Sequence, residues 1–254
     1  MIDTPFRYLM KKTYLLIFFL LPLILFSQKE EEKPISGGYI MGFHKTNRGM
    51  GAEISYLTGP DHQQMVWGLD LHLVKELNEA NIEPVYGTEL GRKYVYGKLN
   101  YFFVLHPSVG IQKNLFQLNS LNMINLRAGV KIGPAIGLLT PYYLEIYRPG
   151  QGIPTANDRE IEAYDPTLHT YAKIFGRAGF FAARPQLQAT LGGSVKGYIL
   201  VDFARSSRYI SGFKLGTHAD FFVNPVPIMT GLDKLENHRI FVAFSIGFIF
   251  GNRW

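Results

Sequence analysis

The sequence predicts an all-β protein: an eight-stranded, antiparallel, up-and-down transmembrane β-barrel with a long, partly helical outer loop. Three observations predict it. Long stretches alternate large apolar residues with small or polar ones, the period of a strand with two unlike faces. The composition is 47% hydrophobic and 14% aromatic, with 26 Gly and only 18% charged residues, which is rich in Gly and aromatics for a water-soluble globule. The connections between alternating stretches are short on one side and mostly long on the other, as in membrane barrels.

The first element is a leader. Lys11 and Lys12 precede the apolar run Thr13 to Phe26, which ends in Ser27 and Gln28. A basic start, a short apolar segment and a small exit residue make a secretory signal peptide over 1–27. The run is shorter than the roughly 20 residues a spanning helix needs. Met10-Lys11-Lys12 also reads as a natural start. Residues 28–36 then form a periplasmic N-terminal segment, and 37–254 the barrel.

Strands are expected at 37–45, 50–58, 65–75, 98–117, 123–147, 187–204, 208–223 and 238–252. Tyr39, Met41 and Phe43 share one face of the first strand, and Ala52, Ile54 and Tyr56 one face of the second. Asn47-Arg48-Gly49 makes the turn between them. Trp67, Leu69 and Leu71 alternate with Gly68, Asp70 and His72. Leu126, Val130 and Ile132 alternate with Arg127, Gly129 and Lys131. The last strand, FVAFSIGFIFGNRW, sets Val242, Phe244, Ile246, Phe248 and Phe250 against Ala243, Ser245 and Gly247. Alternation alone does not say which face is inside. A soluble periplasmic barrel or sandwich would bury the oily face, but an eight-stranded interior is only just wide enough for side chains. The large face therefore belongs to lipid and the small face to the lumen. Tyr39, Tyr142, Tyr147, Tyr209 and Trp254 fall where interfacial aromatic girdles form. Turns at 59–64, 118–122 and 205–207 face the periplasm, and the outer connections are 46–49, 76–97, 148–186 and 224–237.

The chain has no Cys, which excludes disulfides, thiolate metal sites, a cysteine nucleophile and a lipoprotein anchor. There is no basic helix or lysine run, and an exported protein does not meet the genome, so nucleic acid is not a partner. His44, His62, His72, His169 and His238 lack metal-ligand spacing, so no metal and no cofactor are expected.

The leader ending Phe26-Ser27-Gln28, the Gly- and aromatic-rich strands and the aromatic C-terminal strand resemble small outer-membrane β-barrel proteins of Bacteroidota, the OmpX/OmpA-like and PorT-like barrels. The resemblance covers the whole mature chain and is architectural. It implies a structural, adhesive or complex-forming role in the outer membrane. It also implies that Phe248, Phe250 and Trp254 belong to an insertion signal read by the barrel-assembly machinery, with Trp254 in place of the more usual terminal Phe. Expected partners are outer-membrane lipid, that machinery, and other outer-membrane or periplasmic proteins.

The inward parity gives a candidate polar network. Its acids are Glu53, Asp70, Asp202 and Asp220; its bases are Arg127, Lys131, Lys196 and Lys214; its histidines are His72, His106 and His218. In a narrow interior these charges must pair. A plug that fills the barrel is the leading reading, and a ligand pocket lined by Asp70, Lys131 and Lys214 is the alternative. An open channel needs more strands. His106 and Ser108 share a strand face, as a nucleophile and its base would in a lipid A deacylase-like enzyme. They point to the lumen, however, and no orienting acid is assignable from the sequence.

In the 148–186 loop, Asp165 and Pro166 could start a helix with an apolar stripe of Leu168, Tyr171, Ala172 and Phe175. This helix either covers its own barrel mouth or docks a partner protein. Leu168, Tyr171, Phe175, Phe180 and Phe181 are the docking candidates. The leading expectation is a noncatalytic barrel acting as a structural or accessory subunit of an outer-membrane assembly or secretion complex.

Overall fold

The structure, a computed structural model, describes residues 35–84, 91–117, 124–147, 159–180, 182–183, 186–204, 208–230 and 238–254. The expected leader at 1–27, most of the 28–36 segment and Phe181 lie outside the described residues.

Eight antiparallel strands close into a barrel: β1 (Gly37–Thr46), β2 (Gly49–Thr58), β3 (Gln63–Val74), β6 (Asn100–Gln117), β7 (Asn125–Pro141), β11 (Gln188–Asp202), β12 (Tyr209–Val226) and β13 (His238–Arg253). The order around the wall is β1-β13-β12-β11-β7-β6-β3-β2, so each strand pairs with its neighbours in chain order and the last pairs with the first. Tyr39 lies opposite Asn252 and Phe43 opposite Phe248 across the seam. Trp254 ties it further: its carbonyl accepts the backbone N–H of Ser36 (2.8 Å) and Gly37 (3.1 Å). The β1–β2 hairpin turns at Asn47-Arg48, and Gly49 takes a φ of 139° that a side chain would strain.

Strand length varies in a way that shapes the barrel. A tilted strand crosses a bilayer in about 9–11 residues. β1 and β2 have 10 each, whereas β6 and β12 have 18. The surplus on the far wall carries the outer tier. The expected strand 123–147 is two strands: β7 ends at Pro141, and β8 (Tyr143–Tyr147) leaves the wall to become the middle strand of an outer three-stranded sheet. Its partners are β9 (Arg159–Ala163) and β10 (Ile174–Arg177). A two-stranded ribbon of β4 (Asn81–Ile82) and β5 (Tyr94–Val95) completes this cap.

The helix expected after Asp165 does not form. Asp165 accepts the backbone N–H of Thr167 (2.8 Å) and its hydroxyl (2.6 Å), which closes a turn. His169 then ends that turn, with Nδ1 accepting the Asp165 N–H (3.0 Å) and Nε2 beside Glu162 (3.1 Å). Only Tyr171–Lys173 form a single 3₁₀ turn, and Ile174 and Phe175 go straight into β10. Phe175 is fully buried and is not a docking residue. Tyr142 is also buried: it belongs to the cap core with Tyr94, Leu144, Ile146, Tyr164 and Ile174, not to a lipid girdle. The hydroxyl of Tyr142 accepts the Val95 N–H at 3.0 Å. Burial pushes the Tyr142 and Tyr164 phenols up to about 12, and the Tyr94 phenol higher still.

Candidate functional site

The wall has one apolar face and one polar face, and the structure decides which is outside. Phe43, Trp67, Val130, Leu191, Phe213, Phe244 and Phe250 all point outward and are exposed, Phe244 by 66%. Soluble domains rarely leave a continuous apolar belt of this kind open to water. The belt, the short turns at one end and the long connections at the other make this a barrel of the outer-membrane kind. Near the barrel end where β1 begins and β13 ends, Trp254 lies 6.3 Å from Tyr39 and 5.9 Å from Tyr56, ring centre to ring centre, in an aromatic girdle. Phe248 and Phe250 are outward and exposed, as the alternation predicts.

The inward residues form layers, and β3 reads nearly all of them in order: Gln64, Val66, Asp70, His72, Val74. At the barrel floor, the end with the short turns, Arg127 is 1% exposed and donates to Asp61 Oδ1 (2.7 Å) and to Gln64 Oε1 (3.2 Å). Beside it Arg253 pairs with Asp202, whose Oδ1 also accepts the backbone N–H groups of Ala204 and Ser211 (3.1 Å each). Above the floor is an apolar ring that includes Ile40, Leu57, Val66, Leu200 and Ile249. Tyr198 rises from it and donates to Gln112 Oε1 at 3.0 Å. Gly129 faces the Tyr198 ring, and a Cβ there would lie 2.4 Å from it.

Next comes a cage of charges. Glu53 accepts from Lys214 (2.6 Å) and Lys131 (3.1 Å). Asp70 lies 3.4 Å from Lys131 and 3.2 Å from Lys196. The Lys214 ammonium also sits 4.1 Å above the Tyr198 ring. A histidine layer follows. His44 Nε2 and His72 Nε2 are 3.0 Å apart, so one donates and the other accepts. His72 stacks edge-on to His106 (5.0 Å) and His218 (4.7 Å), and His106 Nε2 meets Asp220 Oδ1 at 3.0 Å. The mouth is sealed by Val74, Phe102, Leu139, Phe222, Phe241 and their neighbours. The chain leaving β12 crosses this mouth to reach β6. Leu99 N–H donates to the Ile228 carbonyl (2.9 Å) and Thr230 N–H to that of Gly97 (2.7 Å).

All eleven expected lumen residues therefore face inward, and ten of them are buried, with Lys214 half-buried. The structure joins them into a floor group (Arg127, Asp202), a cage (Glu53, Asp70, Lys131, Lys196, Lys214) and a histidine group (His72, His106, His218, Asp220). His44, Asp61, Gln64, Gln112, Tyr198 and Arg253 complete these groups and were not among the eleven. His44 was within reach of the same parity rule, since it alternates with Met41 and Phe43. Among the described residues no group of three or more His, Asp or Glu side chains is placed to hold a metal ion.

His106 and Ser108 do share the lumen face. His106 is fully buried against Asp220, and Ser108 Oγ donates to the Gly68 carbonyl at 3.4 Å. The docking candidates divide. Leu168, Tyr171 and Phe180 are exposed, and Phe180 also packs on Tyr101 (5.3 Å) and Phe103 (6.0 Å), whereas Phe175 is buried.

No family model matches the chain, and no curated protein matches it. Two solved structures are similar to it. Neisserial surface protein A shares 6% identity at a TM-score of 0.40, covering 87% of this chain and 100% of its own. Ail, the attachment invasion locus protein of Yersinia pestis, solved with the heparin analogue sucrose octasulfate, shares 6% identity at 0.41, covering 88% of this chain and 100% of its own. The assignment of the fold rests on the strand pairing above and not on these likenesses.

Proposed function

We propose that the protein is a noncatalytic barrel of the outer membrane that serves as a structural or accessory subunit of an outer-membrane assembly or secretion complex. The observation that carries this reading is the filled lumen. Among the described residues, floor, apolar ring, charge cage, histidine layer and mouth fill the lumen in successive layers, which supports a role for the outer surfaces. Those surfaces are the lipid-facing wall and the folded cap, where Leu168, Tyr171 and Ile161 are exposed. A lipid A deacylase-like role would need lipid to reach His106 and Ser108, and the wall stands between. The pocket reading is favoured by one feature: a cavity of about 30 Å³ is lined by Asp70, Lys131 and Lys214, but its size suits a water or a small ion.

The test is to express the tagged full chain in a native-like host, extract the outer membrane in mild detergent and identify what copurifies. A stoichiometric partner that is lost in a Leu168→Ser/Tyr171→Ser variant supports the subunit reading. A lone heat-modifiable barrel, with no cross-linked partner in cells, overturns it. Recovery of the chain in the soluble periplasmic fraction overturns the membrane assignment itself.

A further inference from the structure

Four imidazoles share one layer of the lumen: His44 from β1, His72 from β3, His106 from β6 and His218 from β12. His72 is the hub. Its Nε2 lies 3.0 Å from His44 Nε2, and its ring meets those of His218 and His106 with centres 4.7 and 5.0 Å away. Two Nε2 atoms this close hold one proton between them, one ring donating and the other accepting. With both rings charged, both atoms carry a proton, neither accepts, and the bond turns into a repulsion.

The charges around the layer are matched with all four histidines neutral. On the floor, Arg127 and Arg253 pair with Asp61 and Asp202. Above it, the ammonium groups of Lys131, Lys196 and Lys214 stand against the carboxylates of Glu53, Asp70 and Asp220. The charged groups that face the layer are therefore Glu53 on β2, Asp70 on β3, Lys131 on β7, Lys196 on β11, and Lys214 and Asp220 on β12. β13 presents only Ala243 and Ser245, and the mouth above presents Phe102, Phe222 and Phe241. Asp220 touches the layer, 3.0 Å from His106 Nε2 and 3.9 Å from His218 Nε2. Among the described residues, His44 and His72 have no carboxylate within ion-pair distance. A proton on each of them adds buried positive charge that nothing beside it offsets, which is strongly unfavourable.

We propose that this layer is an acid-operated latch: it stays shut while His44 and His72 share one proton, and protonation of both rings loosens it and lets water into the lumen beneath the mouth. The cavity of about 30 Å³ bordered by His44, His72 and His218 is where that water enters first. The open layer binds more protons than the shut one, so falling pH favours it and rising pH restores the shut form. The strand ladder of the wall carries no titrating group and stays closed throughout. The inference rests on the lumen geometry alone and stands whether or not the subunit reading does.

The experiment uses the full mature barrel in detergent and labels water-accessible side chains with pulsed hydroxyl radicals, read by mass spectrometry. It runs from about pH 8 to about pH 5, the window in which histidine is the side chain that ordinarily changes charge. Phe102, Phe222 and Phe241 border the layer and do not titrate, so their labelling reports water and not their own charge. It should rise steeply as pH falls, by up to about tenfold per pH unit for each proton taken up. It should fall again on return to the higher pH, while circular dichroism stays that of an intact barrel. His44→Gln keeps a hydrogen-bonding side chain that takes no proton, at a half-buried position, and should flatten the response. His44→Gln/His72→Gln should abolish it, and His62→Gln, exposed on a turn outside the lumen, should leave it unchanged. The wild-type response is read without any variant having to fold. Labelling that is flat across the window, a rise that does not reverse, loss of the barrel signal at the lower pH, or an undiminished response in His44→Gln would each overturn the inference.

Discussion

The middle of the lumen and its outer tier fill the same tube with opposite chemistry. In the middle, Glu53, Asp70, Lys131, Lys196 and Lys214 hold one another at 2.6–3.4 Å. In the mouth, Phe102, Phe222 and Phe241 meet with ring centres 5.3–5.9 Å apart, and the tyrosine core of the cap stands above them. Ion pairs are directional and fail when one partner goes. Apolar packing is nondirectional and fails in proportion to the volume removed. The difference teaches where each is useful. The middle sits where the wall is fixed by the closed strand ladder, so exact partners can be kept in register. The outer tier sits where chain segments cross one another, and bulk tolerates their arrangement better than charge would.

That contrast can be broken most sharply in the middle. Asp70→Ala removes one carboxylate shared by two lysines and leaves Lys131 and Lys196 short of a counter-charge. The expected loss is about 3–5 kcal/mol, typical of breaking a buried ion pair from one side. Urea unfolding of the barrel refolded into detergent would measure it. A loss under 1 kcal/mol would mean that water or an ion compensates freely. Phe102→Ala at the mouth should cost about 3 kcal/mol through its cavity. Because it removes no charge, its effect should be independent of salt, whereas the Asp70→Ala loss should change with salt concentration. Equal salt responses would erase the distinction between the two regions.

The wall was legible in the sequence because each strand carries one oily and one small or polar face, and a slip of one residue would invert both. The inward set followed from parity, which is why Glu53 and Lys214, far apart in the chain, both fell into the lumen. Pairing was not legible. Lys214 meets Glu53 only because the barrel closes β1 on β13, which brings β12 and β2 to face one another across the lumen. His44 was weighed only for metal spacing along the chain, and that spacing does not describe a cluster built across strands. The cap was misread for a different reason. Leu168, Tyr171, Ala172 and Phe175 have helical spacing, but Asp165, His169 and Glu162 lock a tight turn, and β8 offers Ile174 a strand partner. Tertiary pairing overrode a short local pattern.

The dryness of the outer tier gives the last prediction, and it has a defined sign. Tyr142 and Tyr164 ionise only near 12 in the folded cap, and Tyr94 later, while an unfolded tyrosine ionises near 10. Between those values the folded state holds protons that the unfolded state has lost. The stability these phenols contribute is therefore complete below about pH 10 and is lost as pH rises through about 12. Absorbance titration at 295 nm should show part of the tyrosine amplitude only in a late phase that belongs to this group. Tyr142→Phe should remove amplitude from the late phase alone. It should also leave the Val95 N–H without its acceptor, at a cost of about 1 kcal/mol, the smallest of the three effects. Absence of a late phase would mean that water enters the cap freely and that the outer tier does not seal the cage below it.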